Sequence, residues 1–193
     1  MLLVPSYLLG TLPTALMVGR RAGRDLTREG SGNPGASNTY RTLGRRAGAL
    51  VLAGDLCKGV LAAAAGLATG NRAIAVGCGL AAVVGHVLPV TRRFRGGKGV
   101  ATAAGMALVL LPGPALVLAL VWVVVVKATH TAAVASLIIA VALPAAAALV
   151  GRPAGEVWAF ATCGALVVLR HSENIGRLRR GSEPSVTRPA PPV

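Results

Sequence analysis

The feature that most constrains this chain is its alternation of long apolar stretches with short segments rich in glycine and basic residues. Apolar stretches run over 1–19, 47–70, 73–91, 99–111, 114–128, 131–150 and 156–169. Only 13% of the residues are charged, against about 25% in a soluble domain. Such a chain must satisfy its backbone polar groups internally within a bilayer, which selects helices. The expectation is an all-α integral membrane protein with seven transmembrane helices. Stretches 99–111 and 114–128 are short for a hydrocarbon core of ~30 Å. The Pro112-Gly-Pro114 sequence between them reads as a turn. A single span over 99–128 is the alternative, and it would invert everything downstream.

The cations decide between these topologies. Seven spans with the N-terminus outside and the C-terminus cytoplasmic place 17 of the 20 Lys and Arg inside. Only Arg72 and Arg152 fall outside, and Lys58 lies within a span. This follows the positive-inside rule, whereas one span over 99–128 would expel Arg170 to Arg188. Residues 1–18 lack a basic leader and are followed by Arg20, Arg21 and Arg24. That order suits a retained first span with its N-terminus outside. The expected organisation is one membrane-embedded domain over 1–182 and a proline-rich disordered tail over 183–193. The three cysteines lie in apolar runs with no metal or disulfide spacing. The net charge of +14 does not point to nucleic acid, because the cations sit between apolar spans and only six aromatics are present.

Three polar segments fall on the expected cytoplasmic side: Gly30 to Arg41, Gly85 to Gly99 and Arg170 to Arg177. Glycine-rich backbone offers N–H groups, and Arg and Lys add charge, a combination suited to phosphate. Gly30-Ser-Gly-Asn-Pro-Gly35 has the spacing of a dinucleotide fingerprint, but no strand precedes it. Gly96-Gly-Lys-Gly99 fails as a Walker loop, because Arg stands at 92 and Gly at 99. It reads instead as an anion cradle at the start of the span beginning at Val100. Gly35-Ala-Ser-Asn38 lies in a polar loop rather than in a buried protease helix. None of His86, His130 and His171 has Asp five residues on. Asp55 and Lys58 share a helical face in one span, as an ion pair for packing or as part of the site. Arg170, His171 and Asn174 form one polar stripe if the last span continues as a helix.

Several segments together closely resemble the bacterial acyl-phosphate:glycerol-3-phosphate acyltransferase family. They are Gly-Ser-Gly-Asn-Pro-Gly-Ala-Ser-Asn at 30–38 with Arg41, Gly85-His86 with Phe94-Arg-Gly-Gly-Lys-Gly-Val-Ala-Thr102, and Arg170-His-Ser-Glu-Asn-Ile-Gly-Arg-Leu178 with Glu183. Asp55, Lys58 and the opening Tyr7 to Pro13 also match. The resemblance implies a multi-pass enzyme of the bacterial inner (cell) membrane with its active site at the cytoplasmic face. Its substrates would be acyl phosphate and glycerol 3-phosphate, and its product lysophosphatidic acid. No cofactor or metal is implied. The soluble enzyme that makes acyl phosphate is a candidate partner beside the lipid bilayer.

The match implies Ser31, Arg41, Lys98, His171 and Asn174 as the catalytic set. Gly30, Gly32, Asn33, Asn38, His86, Gly96, Gly97, Gly99, Ser136 and Arg170 follow as substrate- or phosphate-binding residues. The chain departs from the family at Thr129-His-Thr-Ala-Ala133, where an arginine and a serine are absent. A rival reading, a transporter or binding protein for phosphorylated solutes, also needs cations and glycine-broken helices. It lacks support from any internal repeat.

Overall fold

The computed structural model of the chain describes residues 1–186. The first apolar stretch is not one helix. It divides into α1 (Leu3–Gly10) and α2 (Thr14–Arg21). Pro13 has no N–H to donate and disfavours helical backbone at Leu12, so the helix stops there. The Leu12 carbonyl freed by the break accepts from Lys58 Nζ at 2.5 Å. Lys58 reaches it from α4 (Arg45–Leu67), which follows the short α3 (Ala36–Leu43).

The chain then forms α5 (Arg72–Val87), whose N-terminus is capped by the Asn71 side chain, and a 3-10 turn at Val90–Arg92. Next come α6 (Val100–Leu110) and α7 (Pro112–Thr129). They are separate helices meeting at Leu111, as the Pro-Gly-Pro signal predicts. The sequence ends in α8 (Ala132–Leu149), α9 (Ala154–Arg170) and α10 (Ser172–Arg179). Among the described residues, four helical segments are long and apolar enough to cross a membrane: Arg45–Leu67, Arg72–Arg92, Pro112–Thr129 and Ala132–Leu149. α9 has 17 residues and α6 only 11.

Small residues let the helices approach closely, as membrane interfaces require. A Cβ on Gly59 would run into the backbone of Thr102, and one on Gly105 into that of Leu56, so α4 and α6 touch backbone to backbone. The same crowding holds α1 on α5 through Gly10 and Gly85. Met106, Phe160, Val83, Val87 and Cys163 fill the core between α5, α6 and α9. α7 is outermost, with Leu116, Val117, Leu120 and Val124 exposed.

At the end remote from the three polar segments, Glu156 is buried and accepts from Arg152 at 2.9 and 3.0 Å. Arg72 also pairs with Glu156 and donates to the Leu110 carbonyl at the end of α6.

The tail expectation needs correction at its start. Glu183 accepts from Asn174 and Arg177, and Val186 N–H donates to the His130 carbonyl at 2.8 Å. A charge-assisted bond to Arg177 anchors Glu183, and a backbone bond anchors Val186. The remainder of the expected tail, 187–193, lies outside the described residues.

Candidate active site

The loop leading into α3 is organised around one buried amide. Asn38 Oδ1 accepts from Ser31 N–H at 2.9 Å, and its Nδ2 donates to the carbonyls of Leu26 and Glu29. Gly30 packs directly on this side chain with φ +60, where a Cβ would collide with it. The loop is thereby folded back over α3, and Arg41 Nη2 donates to Ser31 Oγ at 3.3 Å.

The second segment folds back onto the end of α5. Gly97 N–H donates to the His86 carbonyl, and a Cβ on Gly97 would enter the His86 ring. Arg170 at the end of α9 donates to the carbonyls of Gly96 at 2.8 Å and Gly97 at 3.3 Å. Its guanidinium thus holds backbone oxygens. Gly99 (φ +84) then turns the chain into α6 and leaves Lys98 beside the N-terminus of that helix.

Behind the loop, Asp55 accepts from Lys58 at 2.6 Å and Thr14 Oγ1 at 2.6 Å, with His86 Nδ1 3.7 Å away. The pair Asp55–Lys58 therefore ties the break between α1 and α2 to α4 and to His86.

The third segment supplies directional groups. His171 Nδ1 lies 2.7 Å from the Val167 carbonyl. A carbonyl can only accept, so Nδ1 carries the hydrogen and Nε2 keeps its lone pair. Burial, then the positive charge of Lys98, pushes the His171 imidazolium down to about 4, so the ring is neutral near neutral pH. Lys98 Nζ donates to Asn174 Oδ1. Asn174 Nδ2 in turn donates to Glu183 at 2.5 Å, and Arg177 Nε donates to the same carboxylate at 2.8 Å.

Burial pushes the Lys98 ammonium down to about 8. Glu183 opposes that shift, and the guanidinium groups of Arg177 and Arg41 add to it. Burial also lowers Arg41 from its usual range. Three cations therefore converge where Glu183 is the nearest compensating carboxylate. That excess of positive charge in a partly desolvated setting suits a multiply charged phosphate.

These groups open onto a cavity of about 800 Å³. Ser31, Asn33, Asn38, Arg41, Lys98 and Gly99 line it, as do His86, Ser136, His171 and Asn174. Gly30, Gly32, Gly96, Gly97 and Arg170 do not line it; Gly30 seats Asn38, and Arg170 holds the Gly96 and Gly97 carbonyls. Below the polar mouth the lining is apolar, from Leu52, Leu56, Ala103, Leu118, Val123 and Val167. Ser136 on α8 accepts from Trp122 Nε1 on α7 at 3.2 Å.

The sequence reading carries Arg177 only as part of the third polar stripe and Glu183 only as a motif match in the tail, and it offers no signal for Trp122. The position of Glu183 just after Arg177, Arg179 and Arg180 is the available signal. Among the described residues, no group of three or more His, Cys, Asp and Glu is placed to hold a metal.

Residues 1–181 match the glycerol-3-phosphate acyltransferase family. A glycerol-3-phosphate acyltransferase of Syntrophomonas wolfei is 42% identical over 191 residues, covering 96% of both chains. One from Neisseria meningitidis serogroup B is 42% identical over 188 residues, covering 94% of both. Among solved structures, the fold matches a crystal structure of PlsY (YgiH), an integral membrane glycerol 3-phosphate acyltransferase, in its glycerol 3-phosphate form. The TM-score is 0.91 at 36% identity, with 95% of this chain and 93% of that one covered. The lysophosphatidic acid form of the same enzyme matches with a TM-score of 0.88 at 35% identity.

Proposed function

The chain belongs to the glycerol-3-phosphate acyltransferase family, and from that membership we propose that it transfers a fatty acyl group from acyl phosphate to the 1-hydroxyl of glycerol 3-phosphate. The protein is an integral membrane acyltransferase of phospholipid synthesis, and its product is lysophosphatidic acid. The observation that carries the donor assignment is the cavity itself. Arg41 and Lys98 line the polar mouth of an apolar groove, with Arg177 close enough to lower the Lys98 ammonium, so one ligand end must be anionic and the other greasy.

Arg41 and Lys98 neutralise phosphate charge, and Ser31 and Asn174 orient the reacting groups. His171 orients glycerol 3-phosphate so that its 1-hydroxyl points its oxygen at the acyl carbon and its proton at the donor phosphate. As the new C–O bond forms, the hydroxyl proton passes to an oxygen of the donor's own phosphate. The acyl carbon–oxygen bond to phosphate then breaks, and inorganic phosphate leaves with that proton. Cations already in place stabilise the charge that develops, with no covalent enzyme intermediate. Asn38 and Arg170 act by shaping the loops that carry Ser31 and Lys98.

The proposed topology has seven crossings of the bacterial cell membrane. The broken α1–α2 pair is the first, and α4 to α9 are the others. The N-terminus lies outside and the polar mouth faces the cytoplasm. The sidedness of the cations supports this reading.

The test is product formation by purified protein in detergent, where transport is impossible. Glycerol 3-phosphate is offered with palmitoyl phosphate and, separately, with palmitoyl-coenzyme A. Lysophosphatidic acid is expected from the first alone. Product only from the coenzyme A ester would overturn the donor assignment. His171→Asn, which keeps a hydrogen-bonding side chain without basicity, is expected to retain substantial turnover. Near-complete loss with glycerol 3-phosphate binding intact would make His171 the base.

A further inference from the structure

α6 is shorter than a ~30 Å hydrocarbon core, and its far end is where the apolar groove stops. Its 11 residues cover about 16 Å. At Leu110 and Leu111 the chain turns directly into α7 through Pro112.

The cavity follows both helices down to this corner and no further. On α7 its lining runs from Trp122 and Val123 near the mouth to Ala115 at the corner. On α6 it runs from Val100 to Ala107, and on α8 from Ala132 to Leu143. Beyond these positions Leu110, Leu111 and Ala147 are buried and pack into the core. The corner is held from outside the groove. Arg72 donates to the Leu110 carbonyl, which helix termination would otherwise leave unsatisfied, and Arg72 is fixed by Glu156. Arg152 holds Glu156 from the other side.

We propose that the α6–α7 corner is the acyl-chain ruler of this enzyme, with Ala115, Ala107 and Leu143 as the residues that set the longest tail accepted. The inference rests on the acyl-phosphate reading of the same cavity. The corner supplies small side chains, Ala107 and Ala115, on two walls and one large side chain, Leu143, on the third. A tail that reaches the corner meets side chains rather than lipid, so one methylene more or less changes its fit. Apolar pockets discriminate a single methylene by ~10–200-fold. The Arg72–Glu156–Arg152 cluster acts as a positioning device, because it keeps the corner from yielding under a long tail.

The test compares decanoyl, palmitoyl and stearoyl phosphates in the wild type, in Ala115→Leu and in Leu143→Ala. The readout is the ratio of kcat/KM values between chain lengths within each variant, which is independent of the fraction of folded protein. Ala115→Leu is expected to lower the palmitoyl-to-decanoyl ratio by ~10-fold or more. Leu143→Ala is expected to raise the stearoyl-to-palmitoyl ratio several-fold. If Ala115→Leu loses turnover at every length, Leu143→Ala decides. Unchanged ratios would mean that the tail leaves sideways into the bilayer, and would overturn the ruler alone. A wild type that accepts no acyl phosphate of any length would overturn the donor assignment, and the ruler with it.

Discussion

Replacing Lys58 by Met tests whether the break in the first span depends on a charge 46 residues away. Lys58 and Asp55 are each 5% exposed at the side chain and lie 2.6 Å apart. Methionine has similar length and no charge, so packing volume changes little. Two interactions disappear. The Leu12 carbonyl loses its ammonium donor, and Asp55 keeps only Thr14 Oγ1 as a hydrogen-bond partner, with His86 nearby. Removing one partner of a buried ion pair typically costs ~3–5 kcal/mol, because the remaining charge stays desolvated. In a chain of this size each kcal/mol shifts the unfolding midpoint by ~2–4 °C, which gives a fall of about 6–20 °C.

The double variant Lys58→Met with Asp55→Asn removes the stranded charge as well. It is therefore expected to unfold at a higher temperature than Lys58→Met alone. Non-additivity of ~1–3 kcal/mol across the cycle is the signature of direct coupling. The assay is thermal unfolding in a single detergent at fixed pH. A fall of less than ~2 °C for Lys58→Met, or strict additivity of the two changes, would refute the idea that this pair holds the broken helix.

Other outcomes follow from the site and the packing. The Lys98 ammonium is held down to about 8, so its charge is lost as pH rises through that value. kcat/KM should then fall toward ~10-fold per pH unit above it, and Lys98→Arg should remove that limb. On the acid side His171 stays neutral down to about 4, so its protonation contributes no loss between pH 5 and 8. Gly105→Val, which would drive side-chain atoms into the Leu56 backbone, should cost ~1–3 kcal/mol or more by overpacking. Gly113→Ala, with nothing within 4 Å, should leave the unfolding temperature within about 2 °C. Cysteines introduced at Asn71 and Ser182, in a background lacking the exposed Cys57, should label from opposite sides of the membrane. Labelling from one side would defeat the proposed topology.

The amino-acid sequence by itself determines the class of molecule and gathers its polar motifs into three segments between apolar runs. Both follow from one-dimensional physics. Apolar runs must become helices in lipid, and cations are retained on one side. The same logic places Gly96-Gly-Lys-Gly99 at the start of a helix and separates α6 from α7 at Pro112, which is what the structure contains. The local proline rule also marks the break at Pro13, although apolar character is continuous across it.

Tertiary structure decides which partner each polar group takes, and no local pattern specifies that. Arg170 resembled a phosphate ligand by charge and spacing, yet it spends its donors on the carbonyls of Gly96 and Gly97. Asn38 resembled a site amide and instead pins its own loop. Glu183 reads as tail in the sequence but completes the cluster of Lys98, Asn174 and Arg177. In each case a polar side chain with little water around it takes the nearest strong partner. Which partner is nearest depends on helices brought together from distant parts of the chain.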